Sequence, residues 1–173
     1  MRQPGKLSFT MISFIHETLY ELLRNPKKIL HVAGLRPGQA VLEVGCGPGF
    51  FTVPASNIVG IEGSIVAFDV NPFAVKHVQN KIAGAGATNA KTIIADAAST
   101  GLPDHSFDLA FIFGFAHPLG NMGEIWQELH RVIKKGGILS IEGRSQPPEQ
   151  YFKFEAKKKR IGRYINRDSD YNE

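Results

Sequence analysis

Five short apolar runs, separated by stretches with helical signals, constrain this chain more than any other feature. They are "AVLEV" (40–44), "IVAFD" (65–69), "KTIIADA" (91–97), "FDLAFIFG" (107–114) and the "ILSIE" within "KKGGILSIEG" (134–143). Each is nearly continuous in apolar residues rather than alternating, which predicts strands buried on both faces, as in a parallel sheet. The intervening stretches carry helix punctuation. Asn25 caps and Pro26 starts a short helix that Gly34 stops, and Asn71 and Pro72 open another that runs to about Ala83. Phe50 to Val59 reads as a helix whose Pro54 is accommodated near the first turn. Residues 121–135 place Ile125, Leu129, Val132 and Ile133 on one helical face, with Lys134 and Lys135 as a basic last turn and Gly136-Gly137 as the stop. The alternation predicts an α/β chain with a doubly wound, mainly parallel sheet.

The two ends read differently from the middle. "MRQPGKLSFTMISFIHETLYELL" has a basic start, but Ser13 and His16 interrupt its apolar part and no small-residue cleavage site follows, so an amphipathic helix is expected rather than a signal peptide. No apolar run approaches the roughly 18 residues of a membrane span. Of the formal net charge of +4, residues 151–173 carry +3, from seven Lys/Arg and four Asp/Glu. The body is nearly neutral, so polyanion binding would have to come through the "KKKRIGR" tail. Tyr151 to Tyr164 reads as a basic helix. The single cysteine, Cys46, excludes an internal disulfide and fits a reducing cytoplasm.

The first and second runs pose the chemical question. "VLEVGCGPGFFT" buries a carboxylate, Glu43, two residues before Gly45, Gly47 and Gly49, and "AFDVNP" ends its strand on Asp69. A glycine turn at the carboxyl end of a first strand lets backbone approach a ligand. Dinucleotide binding fits poorly: Phe50 stands where GxGxxG needs its last glycine, no Gly-Lys-Ser/Thr follows, and Glu43 would repel a pyrophosphate. The same carboxylate would attract a positively charged ligand.

The segment "VLEVGCGPGFFT" resembles the first motif of class I S-adenosylmethionine-dependent methyltransferases. The resemblance runs from about Gly38 to Glu142 and includes "AFDVNP", "IIADAASTGLPDHSFDLAF" and "EIWQELHRVIKKGGILSIE", in the family's order and spacing. It is closest to the small-molecule branch that includes quinone-biosynthesis enzymes. It implies a Rossmann-like sheet of order 3-2-1-4-5 and S-adenosyl-L-methionine as cofactor. Glu43 and the backbone of Gly45, Cys46, Gly47 and Gly49 would hold the methionine moiety. Asp69 would accept both ribose hydroxyls, having two acceptor oxygens. Val70 beside it would pack on the adenine face, with Asn71 next in the same turn. Asp96 and the Ala97 N–H would meet the adenine edge, and backbone at Phe113 and Gly114 the amino-acid end. Each acid also has a plainer explanation, Asp69 and Asp96 as caps or turn formers, and Cys46 as a small filler.

If the acceptor must lose a proton, His117 in "GFAHPLG" is the candidate base, though it also reads as a loop histidine that shapes the pocket. His16 and Tyr20 on the N-terminal helix would close over the site. His31, His77, His105 and His130 lack metal-ligand spacing, so no metal is expected. One domain spans 1–173: N-terminal helices or lid (1–34), cofactor-binding core (38–142) and an atypical basic tail (145–173). The family's final antiparallel strand pair is expected to be reduced or missing, leaving strand five as an open edge and favouring a homodimer. The leading reading is a methyltransferase acting on a small, partly apolar acceptor lined by Phe9, Phe14, Phe115 and Pro118, with nucleic acid not expected as a partner. Two alternatives stay open: an RNA or protein methyltransferase guided by the tail, and a non-catalytic S-adenosylmethionine-binding protein.

Overall fold

The computed structural model describes residues 25–113 and 121–168. In chain order these form α1 (Pro26–Ala33), β1 (Ala40–Val44), α2 (Thr52–Val59), β2 (Ser64–Asp69), α3 (Pro72–Gly84), β3 (Ala90–Ile94), β4 (Phe107–Ile112), α4 (Met122–Val132), β5 (Ile133–Glu142), β6 (Phe152–Lys158) and β7 (Ile161–Asn166). One seven-stranded sheet runs in the order β3-β2-β1-β4-β5-β7-β6. The first five strands are parallel, and β5–β7 and β7–β6 are antiparallel.

The helix starts follow the sequence closely. Asn25 and Asn71 adopt extended backbone and accept from the Lys28 and Phe73 N–H groups, each ahead of a proline whose missing N–H is no loss in a first turn. Pro54 sits third in α2, where no intrahelical donor is required. β1, β2 and β4 are buried on both faces, as continuous patterning requires, but β3, at the sheet edge, is not: none of its residues is buried and Ile94 is 62% exposed. Leu42, Val44, Phe68 and Leu139 pack beneath Ile125 and Leu129 of α4. Val41, Ala67 and Leu109 pack on the opposite face against Leu30 of α1, Ala55 of α2 and Val78 of α3. Buried Ser140 Oγ donates to the Ala33 carbonyl at 2.6 Å, tying the end of α1 to β5.

Two expectations need correction. The doubly wound order 3-2-1-4-5 is present, but the final strand pair is present too: Tyr151 to Tyr164 is not a helix, and residues 152–166 form the β6–β7 hairpin. β7 pairs with β5 from Ile138↔Ile165 to Glu142↔Ile161, so β5 is not an open edge and that reason for dimerisation is gone. The hairpin is hard to read from sequence because β6 buries only Phe152 and is otherwise dominated by Lys153, Glu155, Lys157 and Lys158, a composition that equally suits a solvated helix face. The second correction concerns α4, which ends at Val132, so that Lys134 and Lys135 lie in β5. Its last carbonyls are taken by distant groups: His105 and Ser106 N–H donate to Arg131 and Val132, and Asn166 Nδ2 donates to His130 and Ile133. Tertiary partners, rather than Gly-Gly, end the helix.

Candidate functional site

The site grows from the carboxyl ends of β1 and β2. Glu43 lies in β1 opposite Ala67 of β2 and Phe111 of β4, and is only 3% exposed. Its partner is Thr52, at the start of α2, whose hydroxyl donates to Glu43 Oε2 at 2.6 Å. Burial penalises the charged form and pushes the Glu43 carboxyl up to about 8, against the opposing pull of the Thr52 hydrogen bond and the Lys81 ammonium. The nearby Asp69 charge adds to the rise. Near neutral pH the carboxyl is thus largely protonated, and a cation brought against it would favour its ionised form.

Between Glu43 and α2 the chain turns through Gly45, Gly47 and Gly49, all at positive φ. The Cys46 N–H donates to Phe68 at 2.8 Å, and the Gly49 N–H closes the turn on the Cys46 carbonyl at 2.8 Å. At Gly49 a Cβ would stand 2.7 Å from Val78 Cγ2, so this glycine lets the loop lie on α3. At Gly47 a Cβ would meet nothing within 4 Å, so the loop has an open side there. Lys81 of α3 donates to the Pro48 carbonyl at 3.4 Å. The Cys46 thiol is buried, and that burial, with the Glu43 and Asp69 charges, pushes its ionisation far up. It packs as a small apolar group.

Asp69 closes the far side of the loop. Its Oδ2 accepts from the Gly47 N–H at 3.0 Å and its Oδ1 from the Asn71 N–H at 2.9 Å, one donor per oxygen. A carboxylate oxygen has two acceptor sites, so capacity remains on both. Asn71 is buried and caps α3, while Val70 is half exposed at the rim. Beyond β3, exposed Asp96 accepts from the Ala98 N–H at 2.9 Å, and Ala97 is buried against the core. On the other flank, Phe113 stacks edge-on with Phe51 at 5.3 Å and lies 4.9 Å from Phe111. Gly114, Phe115, His117 and Pro118 lie outside the described residues, as do Phe9, Phe14, His16 and Tyr20.

Glu43, the glycine turn, Asp69 with Val70 and Asn71, Asp96 with Ala97, and Phe113 therefore share one rim. Asp69 and Asp96 along it disfavour a polyphosphate, and together with the Glu43 carboxyl they suit a ligand with a cationic end and hydroxyls. Sequence reading missed Thr52 and Lys81, which partly offset the effect of burial on Glu43. It also missed Glu128 of α4, which accepts from the Thr100 N–H at 2.8 Å and Oγ1 at 2.5 Å and so holds the loop after Asp96. Burial of Glu128 opposes its ionisation, but hydrogen bonds from Arg131 and Thr100 prevail and hold its carboxyl down at about 2. Separations of nine, 33 and 28 residues leave no local pattern that would reveal such pairings.

A glycine turn between strand-end acids, in a 3-2-1-4-5 sheet closed by a 7-6 hairpin, defines the class I S-adenosylmethionine-dependent methyltransferase architecture. A methyltransferase domain model matches residues 35–168, and the chain belongs to that family. It is 32% identical over 120 residues to the ubiquinone/menaquinone biosynthesis C-methyltransferase UbiE of Marinomonas sp. (strain MWYL1), covering 68% of this chain and 47% of that protein. It is 32% identical over 122 residues to the demethylmenaquinone methyltransferase of Geobacillus stearothermophilus, covering 70% and 52%. The chain thus spans about half the length of these curated relatives. In fold it matches a SAM dependent methyltransferase from Aquifex aeolicus at a TM-score of 0.78 and 23% identity, covering 94% of this chain and 98% of that one.

Proposed function

We propose that this chain binds S-adenosyl-L-methionine on the carboxyl rim and transfers its methyl group to a small, partly apolar acceptor. The observation that carries this reading is the pair of carboxylates around the glycine turn, one buried beside Thr52 and one holding spare acceptor capacity on both oxygens. The residues fit the cofactor's chemistry: a carboxyl for the ammonium, acceptors for ribose hydroxyls, an open backbone at Gly47 and no phosphate-binding lysine loop. Bound there, the cofactor supplies a methyl group already activated on a sulfonium, so that transfer chiefly needs alignment and a water-poor site.

The chain's own residues then divide the task. Glu43 and the backbone of Gly45, Cys46, Gly47 and Gly49 hold the amino-acid end, with the Phe113–Gly114 backbone opposite. Asp69 takes the ribose hydroxyls, Val70 covers an adenine face, and Asp96 with the Ala97 N–H reads the adenine edge. The relatives carry quinone-biosynthesis names, which supports a ring-bearing acceptor. No described helix is long and apolar enough to cross a membrane; a cytoplasmic setting belongs to the same proposal. His117 serves as base only for an acceptor that must lose a proton, in which case His117→Ala should flatten the pH profile of kcat and leave cofactor affinity unchanged. Calorimetry tests the central claim: S-adenosylhomocysteine should bind and NADH should not. The reverse pattern would overturn it.

A further inference from the structure

The basic tail has no role in the site above, yet the hairpin brings it to the same rim. β7 is antiparallel to β5, so the turn between Lys158 and Ile161 sits at the carboxyl end of β5, where the Gly143 N–H donates to the Arg160 carbonyl at 2.9 Å. Arg144, Lys157, Lys158, Lys159 and Arg160 gather there, one strand beyond the end of β4. Five of the chain's 20 Lys/Arg therefore stand at one corner of an otherwise balanced body.

Under that corner lies a cavity of about 260 Å³ between the β5–β6 connection and the hairpin. Ile141, Tyr164 and Phe154 give it an apolar wall, the two rings meeting edge to face at 5.7 Å, and Phe154 is 56% exposed. Arg144 and Lys157 line it, and neither has an ion-pair partner among the described residues. Glu149 is the carboxylate in the lining, so the two cations exceed it by one. The volume is slightly below the roughly 300–1,000 Å³ of drug-sized sites, enough for one small acid or one end of a larger ligand. A planar guanidinium suits a carboxylate, and a ring stacked on the aromatic wall would direct its acid to the cations.

We propose that this pocket holds the acidic end of an aromatic carboxylate, the chemical class of the methyl acceptor. The acceptor assignment rests on the function proposed above; the pocket's selectivity does not. Arg144 and Lys157 take the carboxylate, the Phe154–Tyr164 wall takes the ring, and the surrounding Lys158, Lys159 and Arg160 draw anions to the rim.

The test is equilibrium binding of 2-naphthoate to the full chain, with and without saturating S-adenosylhomocysteine, using the neutral 2-naphthamide as control. Naphthoate should bind saturably in both conditions and the amide should not. Arg144→Gln and Lys157→Gln should each weaken naphthoate about tenfold, the loss of one partly exposed charge-assisted contact, while leaving S-adenosylhomocysteine affinity unchanged. Absence of saturable naphthoate binding, equal binding of the neutral amide, or parental naphthoate affinity in both variants would overturn the proposal. Failure of S-adenosylhomocysteine to bind while naphthoate still responds to both variants would sink the methyltransferase reading and the acceptor assignment, and support the pocket.

Discussion

Gly47 and Asp69, 22 residues apart, are joined by a 3.0 Å hydrogen bond from the glycine N–H to the carboxylate Oδ2. The glycine turn is thereby tied to the end of β2 by the residue proposed to hold the ribose, so loop shape and ligand capture depend on one side chain. Asp69→Ala should weaken S-adenosylhomocysteine binding by roughly 2–4 kcal/mol through lost charge-assisted acceptors, and lower stability by about 1–2 kcal/mol through the freed Gly47 and Asn71 N–H groups. Calorimetry and thermal denaturation read the two effects separately. A lower Tm with unchanged affinity would make Asp69 a loop clasp alone.

Glu43 makes stability depend on pH in a defined direction. Its folded carboxyl titrates at about 8, above the ordinary 4.5, so the folded state binds the extra proton between those values. Its contribution is therefore greatest below pH 4.5 and is lost as pH rises toward 8. Glu43→Gln keeps an acceptor for Thr52 but cannot ionise, so the variant should gain on the parent by on the order of 3 kcal/mol between pH 5 and 8. Parallel stability curves for the two proteins would show that Glu43 is already ionised in the fold.

The same group predicts proton release on ligand binding. At pH 7 an ammonium brought against largely protonated Glu43 should expel its proton. Calorimetry of S-adenosylhomocysteine binding in buffers of different ionisation enthalpy should show a fraction of a proton released, absent in Glu43→Gln. Buffer-independent heats would place the ammonium elsewhere.

Two glycines of one turn should fail differently. Gly49→Ala, with its Cβ 2.7 Å from Val78 and φ at 76°, should cost stability, about 2 kcal/mol or more from strain and overpacking. Gly47→Ala meets open space and should cost only about 1 kcal/mol of backbone strain while obstructing the ligand. Melting temperatures and S-adenosylhomocysteine affinities of the pair check this. Equal loss of affinity with equal stability would contradict the open side assigned to Gly47.

Asn166 anchors the hairpin to the end of α4. It is 2% exposed, meets His130 Nδ1 through Oδ1 at 2.6 Å, and donates to the His130 and Ile133 carbonyls at 3.0 and 2.8 Å. Asn166→Ala should destabilise the fold by about 2–4 kcal/mol because buried partners lose their hydrogen bonds. Chemical denaturation measures it, and a loss under about 0.5 kcal/mol would mean that other groups satisfy those carbonyls.

What the sequence alone determined is what neighbouring residues can specify. Continuous apolar runs set the existence and parallel pairing of β1 to β5, though not the exposure of β3, Asn-Pro pairs set the starts of α1 and α3, and the glycine turn between Glu43 and Asp69 announced the rim and the ligand's charge. The rest depended on contacts between distant residues. Three cases show it: Thr52 and Lys81 converge on Glu43, Asn166 and the Ser106 N–H end α4 early, and β7 covers β5 by pairing Ile165 with Ile138. Local pattern encodes which face of a segment is apolar. It does not encode which remote donor will meet a carboxylate or a helix's last carbonyls, because only chain closure brings those groups within hydrogen-bond reach.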